Sequence, residues 1–93
     1  MHGNFTWDLG KEARNLQKHG VDFATAALVF MDPCRGIVFD DKHSHYEDRY
    51  FCIGEVNGRV LSVRFVYREN HIRILGAGYW RKGARYYEKK NNR

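Results

Sequence analysis

With 93 residues, 43% of them hydrophobic, the chain has the length of one domain spanning 1–93 and enough apolar content for a core of its own, which excludes a disordered tail. Its 16 basic side chains against 11 acidic ones give a net charge of +5, a balance that favours polyanionic partners. The two cysteines share no C-x-x-C spacing, no apolar run reaches the ~18–20 residues of a membrane span, and the opening M-H-G-N-F-T-W-D lacks the apolar region of a signal peptide, so the expectation is a cytoplasmic protein with no membrane contact.

Taken in order, Phe5-Thr6-Trp7 reads as a short strand and Asp8 as the N-cap of a helix. Leu9, Ala13 and Leu16 recur at i, i+4, i+7, the spacing of one helix face. Gly20 ends that helix, with Lys18 and His19 in its last turn, where positive charge suits the helix dipole and His19 serves as a C-terminal cap. Asp22 caps a second helix whose apolar face is Phe23, Ala26, Ala27 and Phe30, and Pro33 stops it. Strands are predicted at 36–40, 49–56, 59–68 and 71–75, with a polar loop, D-K-H-S-H-Y-E-D, at 41–48. Asn57-Gly58 is a strong hairpin signal, because a type I′ turn needs positive φ at both central residues. Glu69-Asn70 is read as a second two-residue turn. The remainder, rich in Arg and Lys, forms a basic helix. The fold class is therefore α+β: two N-terminal helices packed on a mainly antiparallel sheet, followed by a C-terminal basic helix.

The hairpins fix a register. Val56 pairs with Arg59, Cys52 with Val63, Tyr50 with Phe65, Arg49 with Val66, Arg68 with His71, Phe65 with Ile74 and Val66 with Arg73. Side chains alternate faces with period two. One face collects Tyr50, Cys52, Leu61, Val63, Phe65, Tyr67, Ile72 and Ile74, the predicted core side. The other collects Arg49, Arg64, Arg68, His71 and Arg73. Like charges on neighbouring strands repel unless an anion sits among them, so this face is a candidate phosphate site, with neutralisation by Glu47, Glu55 or Glu69 as the alternative.

Two strings carry a family resemblance. The first is W-D-x-x-K-x-x-x-N-x-x-K-H-G-V-x-F-x-x-A, present as Trp7, Asp8, Lys11, Asn15, Lys18, His19, Gly20, Val21, Phe23 and Ala26. The second is D-x-x-H-S-x-x-E-x-R-Y, present as Asp40, His43, Ser44, Glu47, Arg49 and Tyr50. With R-I-L-G-A-G-Y-W-R-K-G after them, the chain resembles the BrnT family of bacterial toxins. That resemblance implies a RelE-like fold and a ribonuclease activity that inhibits translation. It also implies neutralisation by a BrnA-type ribbon-helix-helix antitoxin, operator DNA bound through that antitoxin, and a homodimer or a heterotetramer with it. One departure stands out: many relatives carry a basic pair straight after the position of Ala77, where this chain has Gly78-Tyr79, with Trp80-Arg81-Lys82 following.

The residue types fit metal-free RNA cleavage, which needs the 2′-OH deprotonated, the phosphorane charge stabilised and the leaving oxygen protonated. His43, in the polar loop before Arg49, is the first acid/base candidate, and Glu47 either orients it or acts as the base. His71, beside Arg68, is the second imidazole. Arg64 and Arg73 are candidates for the reacting phosphate, with Arg49 beside them. Tyr79 is the candidate exposed ring for stacking on a base. Trp80 either stacks or anchors the last helix at i, i+4, i+7 with Ala84 and Tyr87, and Arg81 and Lys82 would follow the RNA backbone. His45 makes H-x-H with His43 but finds no further ligand, so no metal and no cofactor is called for. The rivals are a module that binds RNA without cutting it and a degenerate toxin that only docks its antitoxin.

Overall fold

The computed structural model describes residues 4–93. Strand β1 (Phe5–Trp7) leads into helix α1 (Leu9–His19) and helix α2 (Phe23–Ala27). Strands β2 (Gly36–Phe39), β3 (Tyr50–Val56), β4 (Arg59–Arg68) and β5 (His71–Gly78) follow, and helix α3 (Arg81–Lys90) closes the chain. The strands form one sheet in the order β1-β5-β4-β3-β2, antiparallel except for the parallel β1–β5 pair. The fold is α+β, as predicted.

The hairpin registers are those derived from the turns. Val56 faces Arg59 across Asn57 and Gly58, which adopt φ of 52° and 80°. Arg68 faces His71, and Val66 faces Arg73. Two details differ. Arg49 lies outside β3, so the expected Arg49–Val66 pair is not part of the ladder. The register also shifts between Arg64 and Phe65: Phe65 faces Ile74 but Arg64 faces Gly76, which leaves Leu75 as the extra residue of a bulge. A bulge keeps Ile74 and Ala77 both on the core side despite their odd spacing. It also sets a residue without a side chain opposite Arg64.

The core forms between α2 and one sheet face. Phe23, Ala26 and Val29 pack on Cys52, Leu61, Val63, Phe65, Ile74 and Ala77. Burial pushes the Cys52 thiol up to about 12, so it is an inert apolar filler. The second helix is shorter than its pattern: it ends at Ala27 and tightens into a 3-10 turn, Leu28–Met31, which still delivers Phe30 edge-on to Phe65. Tyr67, expected in the core, is 54% exposed at the rim of the aromatic cluster with Tyr50 and Phe65.

Helix α1 corrects the sequence reading most. Its stripe does not enter the core; Leu9 is 75% and Leu16 50% exposed. Polar side chains tie the helix down instead. Asn15 Nδ2 donates to the carbonyls of Val21 and Ala77 at 3.0 Å each, and the Ala77 N–H donates to Asn15 Oδ1 at 3.0 Å. The amide thus takes over the β5 edge where β1 stops. Glu12 accepts from the N–H of Phe23 at 2.8 Å. Held in this way, α1 leans over the sheet face opposite α2.

That second face is shared with α3, whose Gly83 and Tyr87 are buried. The Tyr87 hydroxyl donates to Asp32 at 2.6 Å, and Asp32 also accepts from the N–H of Glu55 at 2.7 Å and of Cys34 at 2.8 Å. Burial, together with the bond to Asp32, pushes the Tyr87 hydroxyl up to about 12. Burial would raise the Asp32 carboxyl, but the bonds it accepts outweigh that and hold it below its ordinary value.

Candidate functional site

Between α1 and the sheet lies an open cleft of about 570 Å³. Lys11, Arg14, Lys18 and His19 line it from α1, with Arg49 and Arg64 across from them and Trp80 at one end. No carboxylate is among its lining residues. The floor is low because Gly76 is the residue opposite Arg64 in the ladder.

Arg64 is held from beneath by Asp40. Its Nε–H donates to Asp40 Oδ2 at 3.0 Å, and His43 Nδ1 lies 3.0 and 3.1 Å from the two oxygens of the same carboxylate. Asp40 is only 6% exposed. Burial would raise its carboxyl, but the hydrogen bond from His43 and the charge of Arg64 hold it below its ordinary value. An ionised carboxylate only accepts, so His43 donates through Nδ1 and its Nε2 is the free nitrogen, on a side chain 47% exposed.

The 40–49 loop is closed by one hydroxyl. Ser44 Oγ donates to the Asp40 carbonyl at 2.7 Å and accepts from the Arg49 N–H at 2.9 Å, while the Asp40 N–H donates to the Arg49 carbonyl at 2.8 Å. The loop therefore delivers Asp40, His43 and Arg49 together around Arg64. Arg64 also lies over the Phe51 ring at 5.1 Å. Its two terminal nitrogens, and the whole Arg49 guanidinium, have no hydrogen-bond or ion-pair partner among the described residues. These are fork-shaped donors left free to face a phosphate.

The family model for the BrnT ribonuclease toxin of type II toxin-antitoxin systems matches residues 7–83. The chain belongs to the BrnT family. It is thus the ribonuclease toxin of such a system, whose partner is a protein antitoxin and whose substrate is RNA. No individual curated protein gives a significant match. Among the described residues, no helix is long and apolar enough to cross a membrane. The matched span runs from the first residue of the N-terminal string through the cleft and stops inside α3.

Set against the expectations for a BrnT toxin, the candidate residues divide. Arg49, Arg64 and Trp80 meet in the cleft, and His43 joins them through Asp40. Glu47 does not orient His43. It accepts from Arg68, and that bond, with the charges of Arg68, Arg49 and Lys11, holds its carboxyl below the ordinary value. Arg73 shares the sheet face, but its guanidinium turns to Thr6 Oγ1 at 3.4 Å and is not in the cleft wall. His71 stands by the 69–70 turn, opposite Arg68, and is also outside it.

The exposure of the aromatic pair is the reverse of the expectation. Tyr79, expected as the exposed ring, packs half-buried against the core with the Arg59 guanidinium 3.7 Å above it. Trp80 is the more exposed ring, at 37%. Its indole lies over Gly78, where a Cβ would come within 2.6 Å of the six-membered ring, so glycine is required there. Arg81 borders a separate cleft beyond Trp80 together with Tyr79, and Lys82 is exposed on α3.

Residues the sequence reading passed over make up much of the site. Lys11, Arg14 and Lys18 form one wall, Asp40 is the carboxylate that joins arginine to histidine, and His19 turns to the cleft instead of capping α1. The Gly20 N–H supplies that cap by donating to Leu16 O at 2.9 Å. A signal was present in Lys11, Arg14 and Lys18: the spacing i, i+3, i+7 puts three cations on one helix face.

Proposed function

We propose that the cleft between α1 and the sheet is the site where this toxin cuts RNA, by chemistry that needs no metal ion. The observation that supports it most is Arg64. Asp40 fixes it from below, its terminal nitrogens are free, and His43 shares the same carboxylate. Arg64 and Arg49 would take the non-bridging oxygens of the scissile phosphate, the role preorganised cations play where charge develops. Asp40 fixes the tautomer of His43, so Nε2 is the lone pair that accepts the 2′-OH proton. The 2′-oxygen then attacks phosphorus. Lys11, Arg14 and Lys18 would hold the flanking phosphates, and Trp80 would stack on a base. Arg73, His71 and Glu47 would act from outside the cleft, and Arg81 and Lys82 along the emerging strand.

The finer family expectations belong here as well. They are a RelE-like arrangement of one domain, inhibition of translation in the cytoplasm, a BrnA-type antitoxin that covers the toxin, operator DNA bound through that antitoxin, and a homodimer or heterotetramer as the resting assembly. The test is cleavage of free RNA and of RNA on translating ribosomes with excess EDTA, read by primer extension. Defined cuts that persist in EDTA support the reading. Intact RNA in both settings returns the cleft to a binding role, as in a toxin that grips RNA without cutting it.

A further inference from the structure

In-line cleavage of RNA needs two proton transfers on opposite sides of phosphorus, and His43 can supply only one at a time. His43 reaches the cleft through Asp40 and Arg64, while a second imidazole lines the cleft itself. His19, the last residue of α1, is exposed, lines the cleft, and has no hydrogen-bond partner among the described residues. Its ring stands edge-on against Trp80, with centroids 5.4 Å apart. Trp80 in turn meets Phe51 at 6.4 Å, and Phe51 lies under Arg64. A continuous line of contacts therefore runs from His19 through Trp80, Phe51, Arg64 and Asp40 to His43. The arginine lies inside that line, with one imidazole at each end.

We infer that His19 is the general acid of the cleft, donating a proton to the 5′-oxygen as it leaves. This rests on the cleft being the cleavage site. His43 Nε2 removes the 2′-OH proton, the 2′-oxygen forms a bond to phosphorus, the P–O5′ bond breaks, and the 5′-oxygen takes its proton from His19. The products are a 2′,3′-cyclic phosphate and a 5′-hydroxyl, with one proton taken up and one released. Three features set His19 apart from His71. It faces the same hollow as Arg64, Gly20 already caps its helix so the ring is free, and the Trp80 edge fixes the ring's position. An ordinary role at the helix end would have placed a ring nitrogen on a terminal carbonyl, and none is there.

The experiment pairs His19→Gln with an RNA whose scissile 5′-oxygen is replaced by sulfur, a leaving group that departs without a proton. On ordinary RNA the variant is expected to cut about 10²-fold or more slowly, the usual loss of a positioned acid. On the sulfur substrate it is expected to match wild type within a few-fold, and it should bind a non-cleavable 2′-deoxy analogue as wild type does. Equal slowing on both substrates, or wild-type speed on ordinary RNA, would overturn the assignment while leaving the cleft as the cleavage site. Failure of the wild type on both substrates would remove the cleavage site and His19 together.

Discussion

Two clefts lie on either side of Trp80, and they differ in how their charges are spent. The cleft under α1 has Lys11, Arg14, Lys18, Arg49 and Arg64 in its walls and no carboxylate. The other, about 880 Å³, has Arg59, Arg81 and Arg93 facing Glu55 and Glu88. There Arg93 lies 3.4 Å from Glu55, and Arg59 covers the Tyr79 ring. The larger cleft is the weaker candidate, because two carboxylates line it and two of its three arginines already have partners. Counting basic residues along the chain points to the C-terminal tail; asking which cations face no carboxylate within their own cleft points to the groove under α1.

Removing Arg64 should separate the two clefts most sharply. Arg64→Ala should slow RNA cleavage by about 10²–10³-fold, the usual loss of a preorganised donor on developing charge. Arg81→Ala, in the other cleft, should change it less than about threefold. Comparable losses in single-turnover rates for both variants would erase the distinction between the clefts.

Asp40→Asn comes next. It leaves the Arg64 and His43 donors with a poorer acceptor and should cost about 1–3 kcal/mol of stability, read by urea denaturation. The pH dependence follows in sign. The folded Asp40 carboxyl lies below its ordinary value, so its contribution is present above the unfolded pKa of ~3.9 and is lost as pH falls through the lower folded value. The wild type should therefore lose stability more steeply than Asp40→Asn as pH drops below about 4. Parallel curves would mean that Asp40 is not the charged partner of Arg64.

Trp80→Ala should weaken RNA binding by about 1–3 kcal/mol, the worth of one stacked base. Tyr79→Ala should lower the unfolding midpoint with less effect on RNA, since its ring packs against the core. Binding titrations and melts on both variants check this difference between the two rings. The smallest effect is expected in α3: Tyr87→Phe loses the bond to Asp32, about 1 kcal/mol of stability, with cleavage rates unchanged.

The strands and their pairing were legible because turn chemistry fixes register locally: Asn57-Gly58 and Glu69-Asn70 each commit a whole ladder. Alternation alone picks out Leu61, Val63 and Phe65 as the core face of β4, but not that Tyr67 lies at its exposed rim. The position of α1 did not, because Leu9 and Leu16 imitate a buried stripe while the anchoring is done by one amide, Asn15, whose partner Ala77 is 62 residues away. The same limit hid Asp40. Its partner Arg64 is 24 residues away, and nothing in the spacing distinguishes it from Glu47, the acid that ends up on Arg68. Arg64 and Arg49 stand out by residue type and sheet face, and His43 by its place in the polar loop before Arg49; the structure brings all three around Asp40 and the cleft. Arg73 and His71 also stand out by type and face, but their neighbours in β1 and at the 69–70 turn take them elsewhere. The i, i+4, i+7 spacing of Trp80 with Ala84 and Tyr87 makes Trp80 look like the helix anchor and leaves Tyr79 as the exposed ring, and nothing local shows that Arg59 covers Tyr79.

The salt dependence of RNA binding tests the contrast between the clefts most directly. Each phosphate contact to single-stranded RNA contributes about 0.7 to the slope of log affinity against log salt. The triple variant Lys11→Ala, Arg14→Ala, Lys18→Ala should therefore flatten the slope by about 2, and Arg59→Ala, Arg81→Ala, Arg93→Ala by less than about 0.7. The reverse order, with the second triple carrying the larger change, would place RNA in the other cleft.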